Sequence, residues 1–213
     1  MDFLPEHINA YAERHTRPES PLLEALNRET HAKVIMPRML SGHLQGQILS
    51  MLSRMIRPSR ILEIGTYTGY SAICLAEGLT EDGILYTIDI NEELADRVND
   101  YIARSPHASQ TRYLCGDAAA LIPTLDETWD LVFIDADKFN YAVYYDMVIG
   151  KVRKGGFIIA DNVLWSGKVT VDPAAMDKET LCIHAFNEKV HDDDRVMNAL
   201  FPVRDGLMVL QKL

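Results

Sequence analysis

ILEIGTYTGYSA, residues 61–72, reads as an apolar strand running into Gly65, a loop continuing through Gly69, and a helix beginning near Tyr70. A turn bare of Cβ atoms permits positive φ and lets a ligand approach the backbone. An ordinary tight strand-to-helix turn would also use glycines, so the neighbouring residues decide between the two. The glycines are spaced GxxxG, whereas a dinucleotide site uses GxGxxG to seat a pyrophosphate on the helix N-terminus, which disfavours pyrophosphate here. Glu63, inside the strand end and facing the loop, would repel phosphates and suit a cationic ligand.

Outward from this loop, short apolar runs alternate with amphipathic segments. RILEI is followed by a helix from Tyr70, ILYTI by a helix from Asn91, TRYL by a short helix from Asp117, DLVFI by a helix from Phe139, and then comes GGFIIA. Apolar runs separated by helices make repeated βα units with right-handed crossovers, hence an α/β fold whose parallel sheet is covered on both faces. After Lys178 a further helix leads to VMNALFPV and GLMVLQ, an antiparallel pair turned at Arg204-Asp205-Gly206. Before the sheet, residues 19–34 and 43–57 read as helices separated by Pro37, the second with Leu44, Ile48, Leu52 and Met55 as one apolar stripe.

The successive strands end in acids. Asp89 at the tip of the second can accept hydrogen bonds from both hydroxyls of a ribose, and LCGDA puts Asp117 and Ala118 beside an adenine edge. With Glu63 and Asp135, four acids at four successive strand ends fit a nucleoside without phosphate and with a positive centre, and S-adenosylmethionine answers that description. Each acid alone would read as a solvated loop carboxylate.

The chain has 213 residues, room for one compact domain. Lys and Arg number 21 against 31 Asp and Glu, a net charge of −10 with no basic run, which disfavours nucleic acid as a partner. The charged start MDFLPEHINAYAERH lacks the apolar stretch of a signal peptide, and no segment approaches a membrane span, so the expected setting is the cytoplasm. Cys74, Cys115 and Cys182 show no CxxC spacing and the seven histidines no HExxH spacing, so they read as structural residues rather than a zinc site.

LEIGTYTGYS, IDI, FIDADKFNY and DNVLWSGKV together resemble the signature segments of the caffeoyl-CoA and catechol O-methyltransferase family, over nearly the whole stretch from Ser41 to Leu213. The resemblance implies a class I methyltransferase, Rossmann-like sheet of seven strands, mostly parallel and closed by the C-terminal hairpin. It implies that Glu63, Gly65, Tyr67, Ser71, Asp89, Asp117, Ala118 and Asp135 contact the methyl donor, with Ser41 lining the site from the preceding loop. Together with the apolar N-terminal helices it implies a homodimer, residues 1–57 forming the lid and dimer region and 58–213 the core of a single domain.

Asp135 closes the fourth strand, and Asp161 with Asn162 the fifth. Two carboxylates and an amide are hard oxygen donors that suit Mg²⁺ or a similar divalent ion; as the alternative, Asp161-Asn162 simply cap a turn. A phenol with a pKa of about 10 is a poor nucleophile at neutral pH until a cation and a base favour its anion. The resemblance gives the base role to Lys138, beside Asp135; a structural ion pair with Asp135 or Asp137 is the alternative. Tyr141 and Trp165 are candidate walls against an aromatic acceptor, with packing as the equal alternative. Plant-type members carry an acidic residue where this chain has Gln45, and the stretch from Val169 to Glu179, expected at the substrate rim, is short. The expected acceptor is a catechol or small hydroxylated phenylpropanoid. A nicotinamide-dependent oxidoreductase, a non-catalytic binding protein, and a methyltransferase with a non-catechol acceptor or a nucleobase are the competing readings; the missing GxGxxG and the absence of an NPPY-like segment weigh against the first and the last.

Overall fold

The computed structural model describes residues 5–213; Met1 to Leu4, the start of the charged N-terminal stretch, lie outside them. Seven strands form one sheet: β1 (Arg60–Ile64), β2 (Ile84–Asp89), β3 (Thr111–Cys115), β4 (Trp129–Ile134), β5 (Val152–Ala160), β6 (Val196–Phe201) and β7 (Leu207–Lys212). Their order is β3-β2-β1-β4-β5-β7-β6, and the first five run parallel. β7 pairs antiparallel with both β5 and β6, so the chain passes to the sheet edge and then returns inside it.

Side-chain alternation splits the core in two. Leu62, Ile64, Val132, Ile134, Ile158 and Ala160 face the layer built by α7 (Tyr141–Ile149) and α8 (Lys178–His191). Ile61, Leu131, Phe133 and Ile159 face the layer built by α2 (Pro21–Lys33), α3 (Gly42–Ile56) and α4 (Tyr70–Ala76). Glu63 shares parity with Ile61, which sends its carboxyl under α4.

The structure departs from the sequence reading in three ways. A helix α1 (Glu6–Arg14), with no buried residue, precedes the two expected ones. The segment after Asn91 opens with a short 3₁₀ turn, Glu92–Leu94, before α5 (Ala95–Arg104), and Phe139 likewise lies in a 3₁₀ turn, Lys138–Asn140, ahead of α7.

The third departure is the inward face of α3. Its buried residues are Gln45, Gly46, Leu49, Ser50 and Ser53, whereas Met55 of the apolar stripe is 74% exposed. Close approach to α4 explains this: a Cβ on Gly46 would lie 2.6 Å from Tyr70 Cε1 and 2.9 Å from Cys74 Sγ. Small residues are needed there, and their polar groups are satisfied, Ser53 Oγ donating to the Leu75 carbonyl at 2.6 Å and Ser50 Oγ to Glu77 at 2.7 Å.

Candidate active site

Strand pairing continues one step past the strand ends. Gly65 N–H donates to the Ile88 carbonyl, Asp135 N–H to Ile64 and Asp161 N–H to Ile134, each at 2.9 Å, while Gly116 N–H donates to Asp89 at 2.8 Å. These bonds set Asp89, Gly65, Asp135 and Asp161 along one carboxyl-end edge, where open α/β sheets take ligands. Gly65 has φ +101°, and a Cβ built on it would lie 1.9 Å from the Asp135 carbonyl oxygen, so the loop can pass only as glycine.

A cleft opens here. Ser41, Gly65, Tyr67, Ser71 and Asp135 line it together with Leu40 and Met39. Five of the nine residues expected around the donor therefore meet at one opening. Glu63 sits just behind it, 0% exposed. Thr87 Oγ1 donates to its Oε2, Thr66 supports Thr87, and Oε1 has no partner among the described residues. Burial pushes the Glu63 carboxyl up to about 8, against the hydroxyls of Ser71 and Thr87.

Farther along the edge, Asp89 is already engaged. Its Oδ2 accepts Tyr67 N–H at 2.6 Å and its Oδ1 accepts Asn91 N–H at 2.9 Å. Each oxygen keeps lone-pair capacity, but the residue also fixes the glycine loop, a structural duty that the sequence reading did not give it. Asp117 caps α6 (Ala118–Leu121) by accepting Ala119 N–H at 2.9 Å, and Ala118 is buried beside it.

The second group lies around Lys138. Its Nζ donates to Asp135 Oδ1 at 3.2 Å, to Asn162 Oδ1 at 2.8 Å and to Tyr141 Oη at 2.5 Å. The ion pair weighed in the sequence is thus formed, with Asp135 rather than Asp137. Tyr141 Oη in turn donates to the Asp161 carbonyl at 3.0 Å. Asp161, 3% exposed, has no basic side chain bonded to it among the described residues; Gln45 Nε2 and the Asn162 N–H serve its two oxygens. Burial, followed by the charge of Asp135, raises its pKa well above the ordinary carboxylate range.

This donor set fits a divalent cation. Oxygens of Asp135 and Asn162 already converge on one positive centre, the Lys138 ammonium, and the charges of Asp135 and Lys138 both act on the buried Asp161 carboxyl.

The ring of Tyr141 takes the packing alternative. It is 0% exposed and packs edge-on against Phe186 with centroids 5.5 Å apart, leaving only its hydroxyl at the site. Trp165 is half-buried, and Lys138 Nζ lies 5.7 Å from its ring centroid. Asn162, Trp165 and Ser166 all have positive φ, a strained run of a kind that persists only when neighbours fix it. The β6–β7 turn does so: Asp205 accepts Ser166 N–H at 2.5 Å through Oδ1 and Leu164 N–H at 2.9 Å through its carbonyl. From the same turn, Arg204 donates to the Leu40 carbonyl at 3.1 Å, next to Ser41. The sequence marked 204–206 only as a turn, and nothing in local spacing marks it as a clamp on both walls.

With this geometry in place, comparison with known proteins is specific. The O-methyltransferase family profile matches residues 12–213. The chain belongs to the class I, S-adenosylmethionine-dependent O-methyltransferases. A caffeoyl-CoA O-methyltransferase of Arabidopsis thaliana is 34% identical to this family member over 200 residues, 87% of this chain and 76% of that one. Among solved structures, the O-methyltransferase TomG of Streptomyces achromogenes, involved in tomaymycin synthesis and in complex with S-adenosylmethionine, superposes with a TM-score of 0.89 at 28% identity, covering 97% of this chain and 96% of its own. An O-methyltransferase of Bacillus cereus in complex with S-adenosylhomocysteine gives the same TM-score and identity over 97% of both chains. The seven-stranded sheet with its antiparallel hairpin is the fold implied by the motifs, and no described helix is long and apolar enough to cross a membrane.

Proposed function

We propose that this O-methyltransferase moves a methyl group from S-adenosylmethionine to one hydroxyl of a catechol-like or hydroxylated phenylpropanoid acceptor, with a divalent cation, Mg²⁺ or a relative, at the acceptor oxygens. The observation that carries the reading is the convergence of Asp135 and Asn162 oxygens on one positive centre beside the glycine-loop cleft, with Asp161 adjacent. Ser41, Glu63, Gly65, Tyr67, Ser71, Asp89, Asp117 and Ala118 hold the donor in this scheme, and Asp135, Asp161 and Asn162 hold the cation. When bound, the cation supplies Lewis acidity that favours the anion of a phenolic hydroxyl. Lys138, in its neutral form, takes the hydroxyl proton on Nζ, with Tyr141 Oη and Asn162 fixing that nitrogen. The oxygen then forms the new O–C bond as the C–S bond breaks, the electron pair staying on sulfur. Charge is neutralised in the step, so the remaining work is positioning and exclusion of water. Transfer of label from a methyl-labelled donor to a panel of vicinal diols tests the reading, and no labelled product with any diol would contradict it.

Asp89→Ala is expected to weaken S-adenosylhomocysteine binding by about a hundredfold, since a hydrogen bond to a charged group contributes about 1.5–3 kcal/mol. Because Asp89 also holds the Tyr67 and Asn91 N–H groups, stability should fall by about 1 kcal/mol as well. Calorimetry and thermal unfolding separate the two effects; unchanged affinity with lowered stability would remove Asp89 from the donor site.

A homodimer belongs to the same reading. Met51 and Met55 on α3 are 59% and 74% exposed, and Ile8 and Tyr11 on the neighbouring α1 are 44% and 58% exposed. Exposed apolar pairs spaced i,i+4 on α3 and i,i+3 on α1 give each helix an apolar face of the kind that marks contact surfaces. Light scattering should give about twice the chain mass of 24.0 kDa, and a Met51→Glu, Met55→Glu double variant should return a monomer. A monomeric parent protein at micromolar concentration would remove the dimer from the account. Three free cysteines suit a reducing, cytoplasmic setting.

A further inference from the structure

Gln45 is 2% exposed on α3, and its Nε2 donates at 2.5 Å to Asp161 Oδ2, across 116 residues of sequence. The other Asp161 oxygen accepts the Asn162 N–H at 2.7 Å. No other side chain among the described residues hydrogen-bonds the Asp161 carboxylate, whose own burial leaves it 3% exposed.

We infer that Gln45 is a positioning residue for the cation site: its amide orients the Asp161 carboxylate and holds one oxygen, leaving the remaining lone pairs directed at a divalent ion. The inference rests on the divalent-cation reading above. A neutral donor is suited to the task. It can only donate through Nε2, so it fixes the carboxylate without adding a charge that would repel a cation, as a lysine would, or a second carboxylate that would compete for it. Its rigidity comes from the α3–α4 contact, where Gly46, next in sequence, packs against Tyr70 and Cys74 with no room for a side chain. The N-terminal helical segment therefore reaches beyond any lid or interface role and holds one ligand of the site from behind.

Removing a partner that orients a metal-ligating side chain costs about 10–100-fold in metal affinity. Titration calorimetry of the full-length protein with Mn²⁺ alone, and separately with S-adenosylhomocysteine, tests the assignment on Gln45→Met, which keeps volume and loses the donor. The expected result is a 10–100-fold weaker Mn²⁺ affinity with S-adenosylhomocysteine affinity unchanged within about twofold. Should Gln45→Met lose both ligands through misfolding, Gln45→Asn retains a polar side chain one methylene too short to reach and must show the same selective loss. Parent-like Mn²⁺ affinity in a folded variant overturns the role of Gln45 alone. A parent protein that binds S-adenosylhomocysteine but no Mn²⁺ overturns the cation reading and this inference with it.

Discussion

Gly65→Ala is expected to remove donor binding and to destabilise the fold. The added Cβ would lie 1.9 Å from the Asp135 carbonyl oxygen and 2.6 Å from its carbon, both backbone atoms at the end of a fully buried strand that cannot step aside singly. The residue also holds φ +101°, where a side chain adds strain of about 1–3 kcal/mol. A combined loss of about 3 kcal/mol corresponds to a fall of roughly 6–12 °C in Tm for a chain of this size. Relief of the clash must move either the Asp135 end of β4 or the loop that carries Tyr67 and Ser71, and both line the cleft. Gly150→Ala is the control: that glycine ends α7 with helical φ −66°, and nothing lies within 4 Å of a Cβ built there. The control should match the parent or gain about 0.4–1 kcal/mol. Thermal unfolding and S-adenosylhomocysteine calorimetry read both variants, and a Gly65→Ala protein with parent-like values would contradict the close approach.

Asp161→Ala should lower turnover by about a thousandfold or more, because a Lewis acid contributes several kcal/mol and each 1.36 kcal/mol is tenfold in rate. In the proposed scheme the donor is held by Ser41, Glu63, the glycine loop, Asp89, Asp117 and Ala118, so S-adenosylhomocysteine affinity should stay within about threefold. Lost folding energy is a separate effect: the variant leaves the buried Gln45 amide without its acceptor, at a cost of about 1–3 kcal/mol. Lys138→Met should reduce kcat by about 10²–10⁴ with a smaller change in acceptor KM, the signature of a proton-transfer group rather than a binding one. If Lys138 served only as the ion-pair partner of Asp135, Lys138→Met would shift stability and leave kcat near the parent value.

Most of the fold was legible because its signals are local. The βα alternation from Arg60 to Ala160 and the turn at 204–206 lie in contiguous apolar runs and turn residues, and the acids that end the strands fall where strand period alone puts them. What was not legible depends on pairs distant in sequence. The inward face of α3 is set by small polar residues packing tightly on α4, so the apolar stripe that periodicity marks as buried instead carries the exposed Met55. For Tyr141 a wall and core packing stood as equal alternatives in the sequence, and only its position at the start of α7, with its ring in the core, separates them. Gln45 stood out in the sequence only as a departure from the acidic residue of plant-type members, and its bond to Asp161, 116 residues away, appears only in the folded chain. The clamp formed by Arg204 and Asp205 joins Leu40, Leu164 and Ser166, contacts that only the closed sheet brings together.

The central claim is that a divalent cation at Asp135, Asp161 and Asn162 orients a vicinal diol for methyl transfer, two oxygens fixing the ring where one would let it pivot. Its most direct test is the initial rate of methyl transfer to a catechol and to its monohydroxy analogue, each measured with added Mg²⁺ and with excess chelator. The account predicts rapid methylation of the catechol with Mg²⁺, loss of that activity on chelation, and little turnover of the monohydroxy compound under either condition. Equal rates for the two acceptors in excess chelator would contradict it and reduce the three residues to a structural role.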